Sequence, residues 1–217
     1  MRRVHMSMFK GSLIAIALLL LGVGALVWVI QNPRLERYMA AAETAQDDEE
    51  AEKWLLKAMD ELRDPKGFYL DWSIYRKLEP VVCARLASLY EQRPDPMLAE
   101  EWHLRAVRYY EVNENPNGLG YTTIAVPLSA LAAFYDKQDR LVEADYAYGR
   151  AVAAYARQRE LLGDGDYISA TNVVDCLYRY ARLLDRLRQP DRAAAMRTRA
   201  VQIKTQLGQD FPYWPEE

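Results

Sequence analysis

Apolar positions along this chain follow two patterns. The first is a continuous run, Ser12–Ile30 (SLIAIALLLLGVGALVWVI), which carries no charge. A helix over it, rising ~1.5 Å per residue, is about 28 Å long and matches the ~30 Å hydrocarbon core of a bilayer. Backbone in lipid must satisfy its own hydrogen bonds, so the run is predicted to be a transmembrane helix with Trp28 near one interface. The second pattern fills the rest of the chain. Apolar residues return there every three or four positions, and turn-forming stretches interrupt them at Pro65–Gly67, Asn113–Gly120 and Gly163–Gly165. That spacing predicts amphipathic helices joined by loops.

A repeat lies inside the helical part. AEKWLLKAM from Ala51, AEEWHLRAV from Ala99, EADYAYGRAV around Ala144 and AAAMRTRAV from Ala193 share one phrase. In each, two alanines stand two helical turns apart: Ala51 and Ala58, Ala99 and Ala106, Ala144 and Ala151, Ala193 and Ala200. Alanines so placed let a neighbouring helix come close. Between them sit Leu55, His103, Tyr148 and Arg197, the last poorly suited to burial. A second helix precedes each phrase and carries large–small–large marks. These are Leu86, Ala87 and Tyr90; Leu131, Ala132 and Tyr135; Tyr180, Ala181 and Leu184; and, in a degenerate first copy, Tyr38, Met39 and Ala42. Asp47 or Asp48, Pro96 and Pro190 mark helix starts, and Pro127 falls early in its helix, where a missing N–H costs little.

These marks resemble the tetratricopeptide repeat (TPR). Repeat spacings of about 45–49 residues, longer than the usual ~34, place it with the long-jointed repeats of the kinesin-light-chain kind. The resemblance implies an all-α fold: a single N-terminal transmembrane helix followed by a right-handed α-solenoid of about four TPR-like hairpins. The expected layout is a short basic tail over 1–11, the transmembrane helix over 12–31, the repeats over 32–208 and an aromatic, proline-punctuated tail over 209–217. A hairpin cannot bury its apolar face alone, so the hairpins must stack. Arrays of this family commonly hold peptides on the concave surface lined by the first helix of each hairpin. The corresponding outward positions are Arg85, Ser88, Ser129, Ala133, Tyr178, Arg179 and Arg182, and the last three suit an acidic segment. The Lys/Asn pattern that clamps a chaperone's terminal carboxylate is missing. A solvated charged face is the plainer reading of any one of these residues.

Composition narrows the function. A net charge of −3 and a pI near 5.6 argue against a nucleic-acid partner, which needs a basic footprint. Hydrophobic residues make up 51% while mean hydropathy is −0.30, so apolar residues are concentrated in the run and the helix faces. With Cys83, Cys176, His5 and His103 as the whole stock of such residues, neither a disulfide framework nor a zinc site is expected. Cys83 and Cys176 fall in alternate hairpins, beyond the ~7 Å reach of a disulfide, and are expected as small buried hydrophobes. His103 is expected to be packed, and Asp47–Glu50 to cap a helix rather than bind metal. No nucleotide-loop, zincin or serine-hydrolase motif occurs. No enzyme activity, cofactor or metal is expected.

Two aromatic groups remain: Phe68, Tyr69, Trp72 and Tyr75 in the first connector, and Phe211, Tyr213 and Trp214 in the tail. Both suit either contact with a partner or capping of the ends of the array. A cleaved leader ends in small residues, whereas this run ends in Trp28, Val29, Ile30, Gln31, Asn32 and Pro33, so an anchor is expected. Arg2, Arg3 and Lys10 before the run, against Arg34 and Arg37 after it, favour a cytoplasmic N-terminus and a periplasmic repeat domain in a bacterial inner membrane. The mitochondrial inner membrane is the alternative. The function expected is a scaffold or adaptor for other proteins, serving as an accessory or assembly subunit of a membrane complex. The alternative is a peptide receptor or chaperone for transient clients.

Overall fold

The computed structural model describes residues 33–64, 78–93, 96–113, 124–162 and 167–207. Among them are eight α-helices and no strand. They are α1 Pro33–Glu43, α2 Asp48–Arg63, α3 Glu79–Tyr90, α4 Pro96–Asn113, α5 Ala125–Lys137, α6 Leu141–Leu162, α7 Tyr167–Arg186 and α8 Pro190–Leu207. Each expected helix of the four hairpins is present. No helix among the described residues is long and apolar enough to cross a membrane. Ser12–Ile30, Trp72, Tyr213 and Trp214 lie outside the described residues.

The chain divides into two compact units, Met1–Val82 and Cys83–Glu217. In the first unit α1 packs against α2. Asp47 caps α2, its Oδ1 accepting from the Glu50 N–H at 2.8 Å, while Glu50 Oε2 reaches back to the Gln46 N–H at 3.1 Å. One orphan donor of the first turn, the Glu50 N–H, is thus satisfied by the cap, Glu50 in return holds the N–H of the residue before the cap, and Asp48, Glu49 and Glu50 face the positive end of the helix dipole. The small core is Leu35, Leu55, Ala58, Met59 and Leu62. Tyr38 stacks on Trp54, with ring centroids 5.9 Å apart. The first copy of the repeat needs a correction here. Leu35, one turn before Tyr38, is the residue of α1 that is fully buried, whereas Tyr38, Met39, Ala42 and Ala51 are only half-buried.

In the second unit α5 pairs with α6 and α7 with α8, while α4 leans on α5 and α6 on α7. The repeat phrase supplies the packing surfaces. Ala99, Ala106, Ala144, Ala151, Ala193 and Ala200 are all buried, as are Leu86, Ala87, Leu131, Ala132, Ala181 and Leu184 from the partner helices. Tyr148 fills the gap between its two alanines and stacks on Tyr180 at 5.5 Å. Arg197, at the matching place in α8, is exposed and bonds Asp185 instead.

The third and fourth hairpins turn in the same way. Asp139 (φ 59°) and Arg188 (φ 57°) take the left-handed conformation. Behind them the N–H of Arg140 bonds the Tyr135 carbonyl at 3.0 Å, and the N–H of Gln189 bonds the Leu184 carbonyl at 2.8 Å. A second bond, from Asp139 to Asp136 and from Arg188 to Asp185, completes a Schellman ending in each. This turn sends each second helix back along the first.

Candidate functional site

The residues expected to face a partner sit on α3, α5 and α7. Ser88, Arg179 and Arg182 are exposed, whereas Arg85, Ser129 and Ala133 are half-buried. Ser129 of α5 hydrogen-bonds the buried Cys176 thiol of α7, which brings these two helices together at small side chains. Arg179 bonds Asp175 one turn earlier at 2.7 Å. Arg182 is left as an exposed cation with no ionic partner among the described residues. Tyr178 is a correction. It is 4% exposed, with Lys204 of α8 5.7 Å from its ring, so it belongs to the core of the last hairpin and does not face a groove. Its position on α7 points toward α8, and no large–small pattern in the sequence distinguishes that direction from the outward one.

The hairpins of the second unit are joined by two polar ladders that recur from one hairpin to the next. In the first ladder an acid stands at the end of each first helix: Glu91, Asp136 and Asp185. His103 Nε2 lies 2.8 Å from Glu91 Oε1, and Arg197 bonds Asp185 across the same sequence separation. The following hairpin adds its own base. Lys137 Nζ donates to Glu91 Oε2 at 2.6 Å, and Arg186 bonds both Asp136 and, at 2.6 Å, Asp139. The second ladder starts from the residue after the first alanine of the phrase. Glu100 accepts from Tyr135 Oη at 3.0 Å and Arg140 Nη1 at 2.6 Å; Asp145 accepts from Tyr180 Oη at 2.7 Å and Arg192 Nη2 at 3.0 Å. In α8 the matching position is Ala194, so this ladder ends with the fourth hairpin.

These contacts shift the titration of the groups that make them. The hydrogen bond from His103, with help from Lys137, holds the Glu91 carboxyl below its ordinary range. The Arg140 guanidinium, then the Tyr135 hydroxyl, does the same for Glu100. Burial, then the bond to Glu100, pushes Tyr135 up to about 12. Burial likewise pushes the Cys176 thiol up to about 12, against a small opposing pull from Ser129. A thiol held neutral is a poor nucleophile, and Cys83 and Cys176 are both buried and outside any disulfide. Among the described residues no cluster of three or more His, Cys, Asp or Glu side chains is placed to hold a metal ion.

A surface that the sequence reading missed lies on the other side of the second unit. A groove of about 460 Å³ runs between α4 and α6 over α5. Val107, Leu128 and Leu131 are buried at its floor, while Leu104, Val142 and Tyr146 stand exposed at its rim. Val142 and Tyr146 are 76% and 70% exposed, an unusual outlay of apolar surface for adjacent turns of one helix. Two of the charges at the mouth are neutralised locally: Arg150 pairs with Glu111 at 2.8 Å, and Glu143 with Arg140 at 2.9 Å. Arg108 lines the groove, is exposed and has no ionic partner among the described residues. The sequence signal was present as Val142 and Tyr146 one turn apart on the polar side of α6, but apolar residues at that spacing read equally well as core.

No protein-family model matches the chain, and no curated protein matches it in sequence. Among solved structures it is similar to BtubC (BKLC) from P. vanneervenii, with a TM-score of 0.56 at 16% identity. The match takes in 78% of this chain and 61% of that protein, so the chain spans about three-fifths of its neighbour's length. At that identity the likeness is one of fold alone.

Proposed function

We propose that this chain is a membrane-anchored scaffold of TPR-like hairpins, of the long-jointed kinesin-light-chain kind. In this reading the uncharged run Ser12–Ile30 fixes the protein in a bilayer, and the hairpins hold other proteins beside it. The single observation that supports it best is the pair of polar ladders from Glu91 to Arg197 and from Glu100 to Arg192. They tie the hairpins of the second unit to one another by paired acids and bases. Two separate surfaces of the second unit remain for a partner. One offers the small side chains Ser88, Ser129 and Ala133 and the exposed cation Arg182, with Arg179 already paired to Asp175; the other is the apolar rim of the groove between α4 and α6. Such surfaces serve binding, and rigid stacking keeps the contact geometry fixed.

Service as an accessory or assembly subunit of a membrane complex follows from that pairing of anchor and contact surface. The basic flank Arg2, Arg3 and Lys10 supports a cytoplasmic N-terminus with the hairpins on the periplasmic side of a bacterial inner membrane. Affinity isolation from native membranes in mild detergent tests the reading. A stoichiometric membrane-protein partner is expected to come with the chain, and isolation of the chain alone overturns the subunit role. Release of the intact chain from membranes by carbonate overturns the anchor. Protease protection in sealed vesicles reads the orientation.

A further inference from the structure

We propose that the outer face of α4, with the groove rim beside it, joins the chain to a second copy of itself. The inference rests on the reading of that rim as a contact surface and names what covers it. The face that carries Ser88, Ser129 and Arg182 is left to other proteins. The basis is the order of exposed residues along α4. Its buried side is Ala99, His103, Ala106, Val107 and Tyr110. The opposite side carries Met97, Glu101, Leu104, Arg108 and Val112, all exposed, in one stripe at helical spacing. Met97 and Val112, at its two ends, are 75% and 77% exposed. Glu101 and Arg108 have no ionic partner among the described residues.

This stripe is complementary to itself. Reversing its direction exchanges Met97 with Val112 and Glu101 with Arg108, and leaves Leu104 beside the centre. Two copies of α4 packed antiparallel about a two-fold axis between residues 104 and 105 therefore bring each Glu101 onto the other chain's Arg108. Both residues lie about 5 Å along the helix from that axis, close enough for the pairs to form at the usual crossing angles. Met97 meets Val112 at both ends, and the two Leu104 side chains meet at the middle. A parallel pairing would instead set Glu101 on Glu101 and Arg108 on Arg108. One patch thus satisfies both charges twice, as an isologous contact requires. The same axis lays α6 over its copy, which adds the exposed Val142 and Tyr146 to the contact. With its 18 residues, α4 is about 27 Å long, and α6 beside it widens the face to about 20 Å. The two copies together then bury roughly 1,100 Å², above the ~1,000 Å² that a specific interface needs.

The mass of the full chain in detergent micelles, from light scattering corrected for bound detergent, tests the proposal. A dimer is expected. Glu101→Arg alone and Arg108→Glu alone each set like charges together at two places, and each raises the dimer dissociation constant about tenfold. The double variant Glu101→Arg/Arg108→Glu returns it to the parent value. Mixing the two single variants in equal amounts yields a heterodimer, in which every acid again meets a base. Both positions are exposed, so circular dichroism is expected to stay unchanged throughout. Leu104→Cys, beside the axis, forms a disulfide between chains under mild oxidation, whereas Val201→Cys on the exposed side of α8 does not. A monomeric chain overturns the proposal. So does a dimer indifferent to the charge reversals, or a mixture that associates no better than its components. None of these results decides the scaffold reading, which is judged by whether a different protein is isolated with the chain.

Discussion

Nε2 of His103 lies 2.8 Å from Oε1 of Glu91, at the place where the third hairpin carries Tyr148 and the fourth Arg197. One position of the repeat is thus filled by three kinds of side chain. His103 is buried and makes a polar bond while its ring meets Phe134 at 5.3 Å. Tyr148 is buried and stacks on Tyr180. Arg197 lies at the surface and reaches the acid with a long side chain.

Acid sensitivity follows from the two ladders. Glu91 and Glu100 have carboxyls held below their ordinary value of 4.5 in the folded chain. A depressed folded value means their contribution is fully present above the unfolded value and is lost as pH falls through the folded one. Thermal midpoints followed by circular dichroism are expected to be flat near neutrality and to decline below about pH 4.5. Glu91→Gln is expected to lower the midpoint near neutrality and to shrink that acid decline. A decline of the same size in Glu91→Gln and in the parent chain would show that Glu91 takes no part in it.

Arg188 offers a stabilising change. It holds φ 57° with a side chain for which a left-handed conformation is strained. Arg188→Gly is expected to stabilise by about 1 kcal/mol and to raise the thermal midpoint by about 2–4 °C. Asp139→Gly at the matching turn is expected to gain less, because Asp139 also accepts from Arg186 at 2.6 Å. Denaturant titration of both variants checks the order.

The alanines of the phrase set the distance between helices. Ala144 and Ala151 are completely buried against neighbouring helices. Leucine at either place must push α6 off its partners, at a cost of about 1–3 kcal/mol. Ala153→Leu, on the exposed side of the same helix, is expected to cost less than about 0.5 kcal/mol. Equal losses at Ala151 and Ala153 in urea unfolding would mean that close approach is not what the alanines provide.

Tyr180 and Asp145 meet at 2.7 Å between hairpins, with Arg192 on the same carboxylate at 3.0 Å. Tyr180→Phe and Asp145→Asn are each expected to cost about 1 kcal/mol. The double variant is expected to cost less than the sum, with a coupling of about 0.5–1.5 kcal/mol by a double-mutant cycle. Strict additivity would place the joint between these hairpins in the apolar stack of Tyr148 on Tyr180 alone.

The cysteines give a simple probe of core integrity. Cys83 and Cys176 are buried and outside any disulfide, and burial pushes the Cys176 thiol up to about 12. A thiol reagent at neutral pH is expected to find essentially no reactive group in the native chain and both cysteines once it is unfolded. Fast native labelling of Cys176 would mean that α5 and α7 separate at Ser129.

Several features are legible in the sequence, and the reasons are local. Alanines two turns apart and large–small–large marks follow from the period of a helix, so the order of α1 to α8 and the buried faces of α3 to α8 could be read from spacing. The first hairpin was misread by one turn. The mark at Tyr38, Met39 and Ala42 competes with Leu35, and a single apolar residue near a helix start carries no period of its own. Tyr178 was misplaced for a related reason. A first helix packed by neighbours on more than one side buries more than one stripe, so a residue off the main stripe need not face out.

What the sequence determined by itself is the set of helices and the small residues that let them approach, because both depend on neighbours within a few positions along the chain. Which acid meets which base, how Glu91 comes to hold both His103 and Lys137, and where Val142 and Tyr146 are left facing a groove were decided only when the hairpins packed. Those contacts join residues far apart in the chain, and their partners are chosen by distance in space, which no local period encodes.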